Sequence, residues 1–346
     1  MMNSRTVLVA LVAFTCVSGA QADVMIETIT VGNPGNQGEL SGSGAGGTGP
    51  DRICGAVGYV YNIGKCEVTA GQYTEFLNAV AATDTYGLYN SYMWSASYGC
   101  KIRQLGNSGS HTYVVDYDGD DIEDIDWVNR PVNYISWGDA ARFSNWLHNG
   151  QPGLDTPVPQ DGNSTEDGSY FLNGATANVD LLEIEREVDA TWAIPTEDEW
   201  YKAAYHKNDG ATGNYWNYPT SADSVPSNDL DGGGNNATFR NSDYTVGSPY
   251  WRTEVGAHFN SESPYGTFDM GGNVFEWNEA VIDSLRGLRG GSFGSYGSYL
   301  HAARRYNYGA PTDGNVYLGF RVAQVPVPST LTLLALGGLA ALRRRR

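Results

Sequence analysis

Between Tyr265 and Arg321 the chain reads YGTFDMGGNVFEWNEA, then LRGGSFGSY, HAARR and LGFRV, with glycines at 266, 271, 272, 287, 290, 291, 294 and 297 set between single aromatics. Glycine at this density opposes a long helix, so the stretch predicts tight turns and short strands pinned by rings. The whole chain shares the bias: 23 Tyr, 9 Trp and 44 Gly in 346 residues predict a loop-heavy fold anchored by aromatics. Within the stretch, GGNVFEW (271–277) offers Glu276 and carbonyls exposed by glycine turns, with Asp269 just upstream, which is the donor chemistry of a hard cation. The same residues also suit an Asx turn in which Asn273 bonds its own backbone and Glu276 is solvated, and spacing alone leaves both open.

The two ends read as targeting signals. Residues 1–22 run from Arg5 through VLVALVAFTCV to Ala20-Gln21-Ala22, the charged, apolar and small-residue regions of a secretory signal peptide, which places the mature start near Asp23. The apolar run is too short for a comfortable membrane span. At the other end, Val325-Pro326-Val327-Pro328-Ser329 precedes LTLLALGGLAAL and four arginines. This resembles the PEP-CTERM sorting signal, with Val327 where that motif usually has Glu, and implies recognition by an exosortase and transient membrane contact through residues 325–346.

Between the signals, residues 23–54 form a Gly/Ser-rich segment, and 32–50 (GNPGNQGELSGSGAGGTGP) read as a flexible linker. AVGYVYNI (56–63) alternates like a strand, and Thr69 caps a helix whose Tyr73, Phe76, Leu77 and Val80 share one face. HTYVVDYDGDDIEDIDW (111–127) is an acidic loop: Asp116, Asp118 and Asp120 sit at calcium-loop spacing, but Gly119 comes too early and Trp127 stands where the closing Glu should be. Ser136 with Asp139 and Thr196 with Glu199 form capping boxes before two short helices. Residues 151–190 read as a surface excursion or β-ribbon, and 206–250 as long ordered loops.

The blocks GGNVFEW, LRGGSF, AAR and LGFRV, with PVNYISWGDAARFSNWL (131–147), AIPTEDEWYKAAY (193–205) and the Glu67-Val68-Thr69 triplet, resemble in order the sulfatase-modifying-factor, or formylglycine-generating-enzyme, family. The resemblance implies an α+β, irregular C-type-lectin-like fold over residues 55–324. It also implies structural calcium at the side chains of Asp269 and Glu276 and the carbonyls of Gly272 and Val274. Family enzymes oxidise a sulfatase cysteine with copper(I) held by two thiolates, soft ligands for a soft ion. Here the interval between the GGS and AAR blocks holds no cysteine, and Ser295 and Leu300 stand near the thiol positions. His301 is the one soft donor nearby. Cys54, Cys66 and Cys100 lie far upstream, and their pairing is open.

The function this implies is an exported, envelope-sorted domain without copper oxidase chemistry, acting as a calcium-stabilised binding or matrix protein. Trp251, Tyr265, Phe275, Trp277, Tyr296 and Tyr299 could stack on a glycan or peptide, although Phe275 and Trp277 also suit a core. The alternative is a formylglycine-generating oxidase, or a related oxidoreductase, with an altered metal site. A net charge of −18 argues against nucleic acid as a partner and favours divalent cations.

Overall fold

The structure, a computed structural model, describes residues 23–326 apart from Asp231. The signal-like segment 1–22 and the sorting tail beyond Pro326 lie outside the described residues. In chain order the elements are β1 (Thr28–Val31), β2 (Glu39–Ser41), β3 (Arg52–Cys54), β4 (Tyr61–Gly64), α1 (Ala70–Val80), α2 (Tyr92–Ser95), β5 (Ile102–Leu105), β6 (Thr112–Val115), α3 (Ile125–Val128) and α4 (Trp137–His148). There follow α5 (Asn178–Glu183), β7 (Trp192–Ala193), α6 (Glu197–Tyr205), β8 (Arg240–Asn241), β9 (Asp243–Tyr244), β10 (Phe275–Ile282), β11 (Leu285–Arg289), β12 (Tyr306–Gly309), β13 (Leu318–Gly319) and β14 (Ala323–Gln324). Short elements joined by long loops make the α+β, irregular fold that the family resemblance implies, loop-heavy as the glycine and aromatic pattern predicts.

Two four-stranded sheets organise the described residues, in the orders β1-β4-β14-β7 and β12-β11-β10-β13. The first seats β14 antiparallel between β4 and β7, so the last described strand lies inside the sheet. Against the sequence reading, residues 28–54 belong to this body. Strand β1 pairs with β4, β2 pairs with β3, and Val31, Ser41 and Cys54 are fully buried. The glycines taken for a linker serve close approach instead: a Cβ on Gly47 would lie 2.0 Å from the Ala303 carbonyl oxygen. Glycine composition alone does not distinguish a backbone that is free from one that is tightly packed.

The two expected capping boxes form, and the cap expected at Thr69 is a third box with Gln72. Thr69 with Gln72, Ser136 with Asp139 and Thr196 with Glu199 each exchange side-chain and backbone bonds at the starts of α1, α4 and α6. Helices α1 and α4 face each other through Tyr73, Phe76, Phe143 and Trp146, with Phe320 closing the cluster, at ring separations of 5.2 Å for Phe76–Phe143 and 5.3 Å for Phe143–Phe320. A second core gathers Trp200, Tyr201 and Tyr205 of α6 against β4.

Three other expectations change. The strand expected at 56–63 forms only over β4, because Asn36 and Tyr215 hold the Gly55 carbonyl in a loop. The acidic segment 111–127 is ordered at both ends by β6 and α3, and Asp116 is fully buried, accepting from Arg103 and from the Gly119 and Asp121 amides. Residues 151–190 wrap α4 as loops and the single helix α5, tied by a two-bond pair of Arg142 with Glu166 and by the Asn145 amide reaching the Thr165 and Tyr170 carbonyls. Among the described residues no helix is long and apolar enough to cross a membrane.

Candidate functional site

After β11 the chain turns through Gly290 and Gly291, both at positive φ, and the turn is obligatory at Gly290 because a Cβ there would meet the Met270 carbonyl oxygen at 2.8 Å. The turn delivers Phe293, a buried ring that supports a face of partly exposed aromatics. Its centroid lies 5.4 Å from Tyr317, 6.0 Å from Tyr98 and 6.3 Å from Tyr244. Trp251 completes the set, 4.7 Å from Tyr98 and 4.9 Å from Tyr244. The Asn133 amide ties the Tyr98 and Val316 carbonyls together, and its neighbour Tyr134 stacks on Tyr92 at 5.8 Å, extending the face. Arg240 lies over Tyr244 and Tyr296. Tyr92 and Tyr296 are each 59% exposed and Tyr317 42%, which leaves rings open to a ligand.

Trp251 and Tyr134 both hold φ at 63°. Bulky residues rarely adopt this conformation, and residues kept there by their surroundings cluster at ligand-binding positions. Of the six aromatics expected at the site, Trp251 and Tyr296 reach this face. Trp277 is fully buried and donates to the Ile135 carbonyl, Phe275 packs against Tyr299, and Tyr265 bonds His206. Tyr92, Tyr98, Tyr134, Tyr244, Phe293 and Tyr317 were not singled out by sequence, because they come from segments far apart along the chain.

The interval where the resemblance places copper ligands carries no soft donor set. Ser295 is buried and its hydroxyl lies 3.1 Å from that of Ser292. Leu300 is fully buried beneath Tyr205, whose hydroxyl donates to its carbonyl. His301 packs edge-on against Tyr218 at 5.2 Å. Cys54, Cys66 and Cys100 are unpaired, and burial raises all three thiols, which opposes the thiolate that binds metal. These residues do not fit a bis-thiolate copper centre.

At the expected calcium positions, Glu276 is fully buried and its oxygens are taken by Arg321, at 2.5 and 2.7 Å, and by the Trp200 indole at 2.7 Å. Gly272 packs on the Thr238 carbonyl, and Val274 is buried. Asp269, at φ 57°, accepts from the Gly256 amide at 2.6 Å, and burial lifts its carboxyl to about 6. Glu67, known from sequence only as part of a family triplet, is 2% exposed, and neither carboxylate oxygen has a hydrogen-bond partner. Burial, and then the charges of Asp269 and Glu276, push it well above the ordinary carboxyl range.

This fold is that of a sulfatase-modifying-factor type of domain. The family model described as the sulfatase-modifying factor enzyme 1-like domain matches residues 56–326, and the chain belongs to that family. A PEP-CTERM protein-sorting motif matches residues 324–346, which marks an exported protein sorted to the cell envelope and recognised by exosortase-type processing. Among solved structures the chain is similar to CarF (19% identity, 88% of this chain and 99% of that one, TM-score 0.47). It is also similar to Treponema denticola variable protein 1 (18%, 86% and 95%, 0.47) and to PvdO from Pseudomonas aeruginosa (17%, 88% and 96%, 0.47). No curated protein matches the sequence.

Proposed function

We propose that the protein is a non-catalytic binding domain, displayed at the envelope, whose aromatic face takes an extended glycan. The observation that carries this reading is the set of rings in contact around Trp251, with the Tyr92–Tyr134 stack as a separate pair; Trp251 and Tyr134 are held at positive φ, and Tyr92, Tyr296 and Tyr317 are open to solvent. Pyranose rings present apolar C–H faces that stack on such aromatics, while the tyrosine hydroxyls and Arg240 supply polar contacts. The absent thiol pair supports binding over oxidation, since serine and leucine cannot hold copper(I) in place of two thiolates. Calcium belongs to the reading as a structural ion, carried over from the family. Residues 1–22 as a removed signal, 23–324 as the working domain and 325–346 as the processed tail complete the proposal.

The test is binding of the purified protein to arrayed bacterial polysaccharides, with peptides as the second arm. Tyr317→Ala and Tyr92→Ala alter exposed rings and should keep the melting temperature while each weakens glycan binding about 2- to 10-fold, the value of one stacked ring. Binding to peptides alone, or binding indifferent to both changes, would sink the glycan reading.

A further inference from the structure

Arg240 lies in β8 and faces Tyr244 across the hairpin. Its guanidinium carbon stands 5.5 Å from the Tyr244 ring centre and 5.9 Å from that of Tyr296, at the edge of the aromatic face. None of the ion pairs among the described residues includes Arg240, and its Nε is buried without an acceptor. Asp243, the acid nearest to it along the hairpin, is exposed and does not pair with it. Two more cations without carboxylate partners lie close by. Arg252 is fully buried with its guanidinium carbon 5.7 Å from the Phe293 ring centre, and its terminal nitrogens donate to the Tyr98 and Gly99 carbonyls. Lys101, three residues past Tyr98, is also buried and donates to the Trp94 and Ala96 carbonyls. Neutral carbonyls orient such charges without cancelling them, and burial, which lowers Arg252 to about 10, still leaves it charged at neutral pH. The molecule as a whole is strongly acidic, at −18, and buried arginines elsewhere, such as Arg142, Arg289 and Arg321, find carboxylates. At the aromatic face positive charge gathers with no protein anion in contact, and the surrounding rings screen it poorly.

We infer that the glycan taken by the aromatic face is acidic, its carboxylate or sulfate groups bound by Arg240 while its sugar rings stack on the neighbouring tyrosines. The inference rests on the glycan reading above and narrows it. A uronate carries its carboxylate on the pyranose itself, so a ring stacked on Tyr244 or Tyr296 holds that group within reach of Arg240. The planar fork of arginine suits two-bond capture of such an anion. Arg252 and Lys101 add attraction from behind the rings at longer range.

The experiment is calorimetric titration of the purified protein with polygalacturonate, with the same polymer methyl-esterified to neutrality, with dextran sulfate and with dextran. A protein of net charge −18 repels polyanions in general, so tight binding of one reports local recognition. At least one acidic polymer should bind about tenfold or more tightly than its neutral counterpart, the value of a charge-assisted pair, and should weaken as salt is raised. Which acidic polymer binds tells carboxylate from sulfate. Arg240→Gln should remove most of that preference and keep the melting temperature, because no hydrogen bond or ion pair of its side chain is lost. If that variant fails to fold, Arg240→Lys serves, which keeps the charge but loses the two-bond geometry and should weaken the acidic polymer several-fold. Lys207→Gln, which removes a cation stacked on Trp216, should change neither. Equal binding of the acidic and neutral forms, or an undiminished preference in a folded Arg240 variant, overturns the inference and leaves the glycan reading standing. Failure to bind any of the four polymers also overturns it, and the arrayed polysaccharides then decide the glycan reading separately.

Discussion

Glu197, at the start of α6, accepts from Arg289 and Arg305 on both sides and from Arg52 at the edge, at 2.7 to 3.1 Å. Burial alone would raise its carboxyl, but the fields of Arg289, Arg305 and Arg52 prevail and hold it at about 2, against 4.5 for a free side chain. The unfolded chain thus takes up this proton more readily than the folded one. The contribution, about 3 kcal/mol, is complete above roughly pH 4.5 and fades as pH falls toward 2. Denaturant titrations across that window should show the loss. Glu197→Gln should abolish that part of the slope and cost about 3–5 kcal/mol at neutral pH, because Arg289 and Arg305 are left buried without an anion. The sequence shows Glu197 only as one acidic residue in PTEDEW. Its arginines lie at 52, 289 and 305, so the pairing is visible only in three dimensions.

At the scale of elements, the local signals were legible. Capping boxes depend on residues three apart: the two identified by spacing form, and Thr69, read as a simple cap, completes a third with Gln72. Ser136→Ala should destabilise by about 1 kcal/mol in urea titrations, without altering the aromatic face. Non-local elements were not legible. Strand β1 has an ordinary alternating pattern, but its neighbour β4 is thirty residues on and its sheet closes through β14 near the end of the described chain. The Gly-rich 32–50 segment misleads for the same reason: Gly47 and Gly49 answer to the carbonyls of residues 303 and 305, far along the chain.

For the whole molecule, the place of β14 leads to a further prediction. Truncation after Pro326 should leave the melting temperature unchanged, whereas truncation after Arg321 removes the strand between β4 and β7 and should prevent folding. Mass spectrometry of the exported protein should find a start near Asp23 and no Arg343 to Arg346, and intact ends on the exported form would count against both processing steps. Incubation of the copper-loaded, reduced protein with a cysteine-containing sulfatase peptide should yield no aldehyde mass change, and turnover above the metal-only control would overturn the binding reading. By itself the sequence determined the sorting tail, the family blocks, the helix starts and the lack of thiols between residues 292 and 303, because each depends on residue type or short spacing. Tertiary structure alone decided that Glu276 belongs to Arg321, that Glu67 is left without a partner, and that Tyr98, Trp251, Phe293 and Tyr317 share one face. Charge compensation and ring stacking act through space over a few ångströms, and the residues they join here are separated by tens to hundreds of positions along the chain.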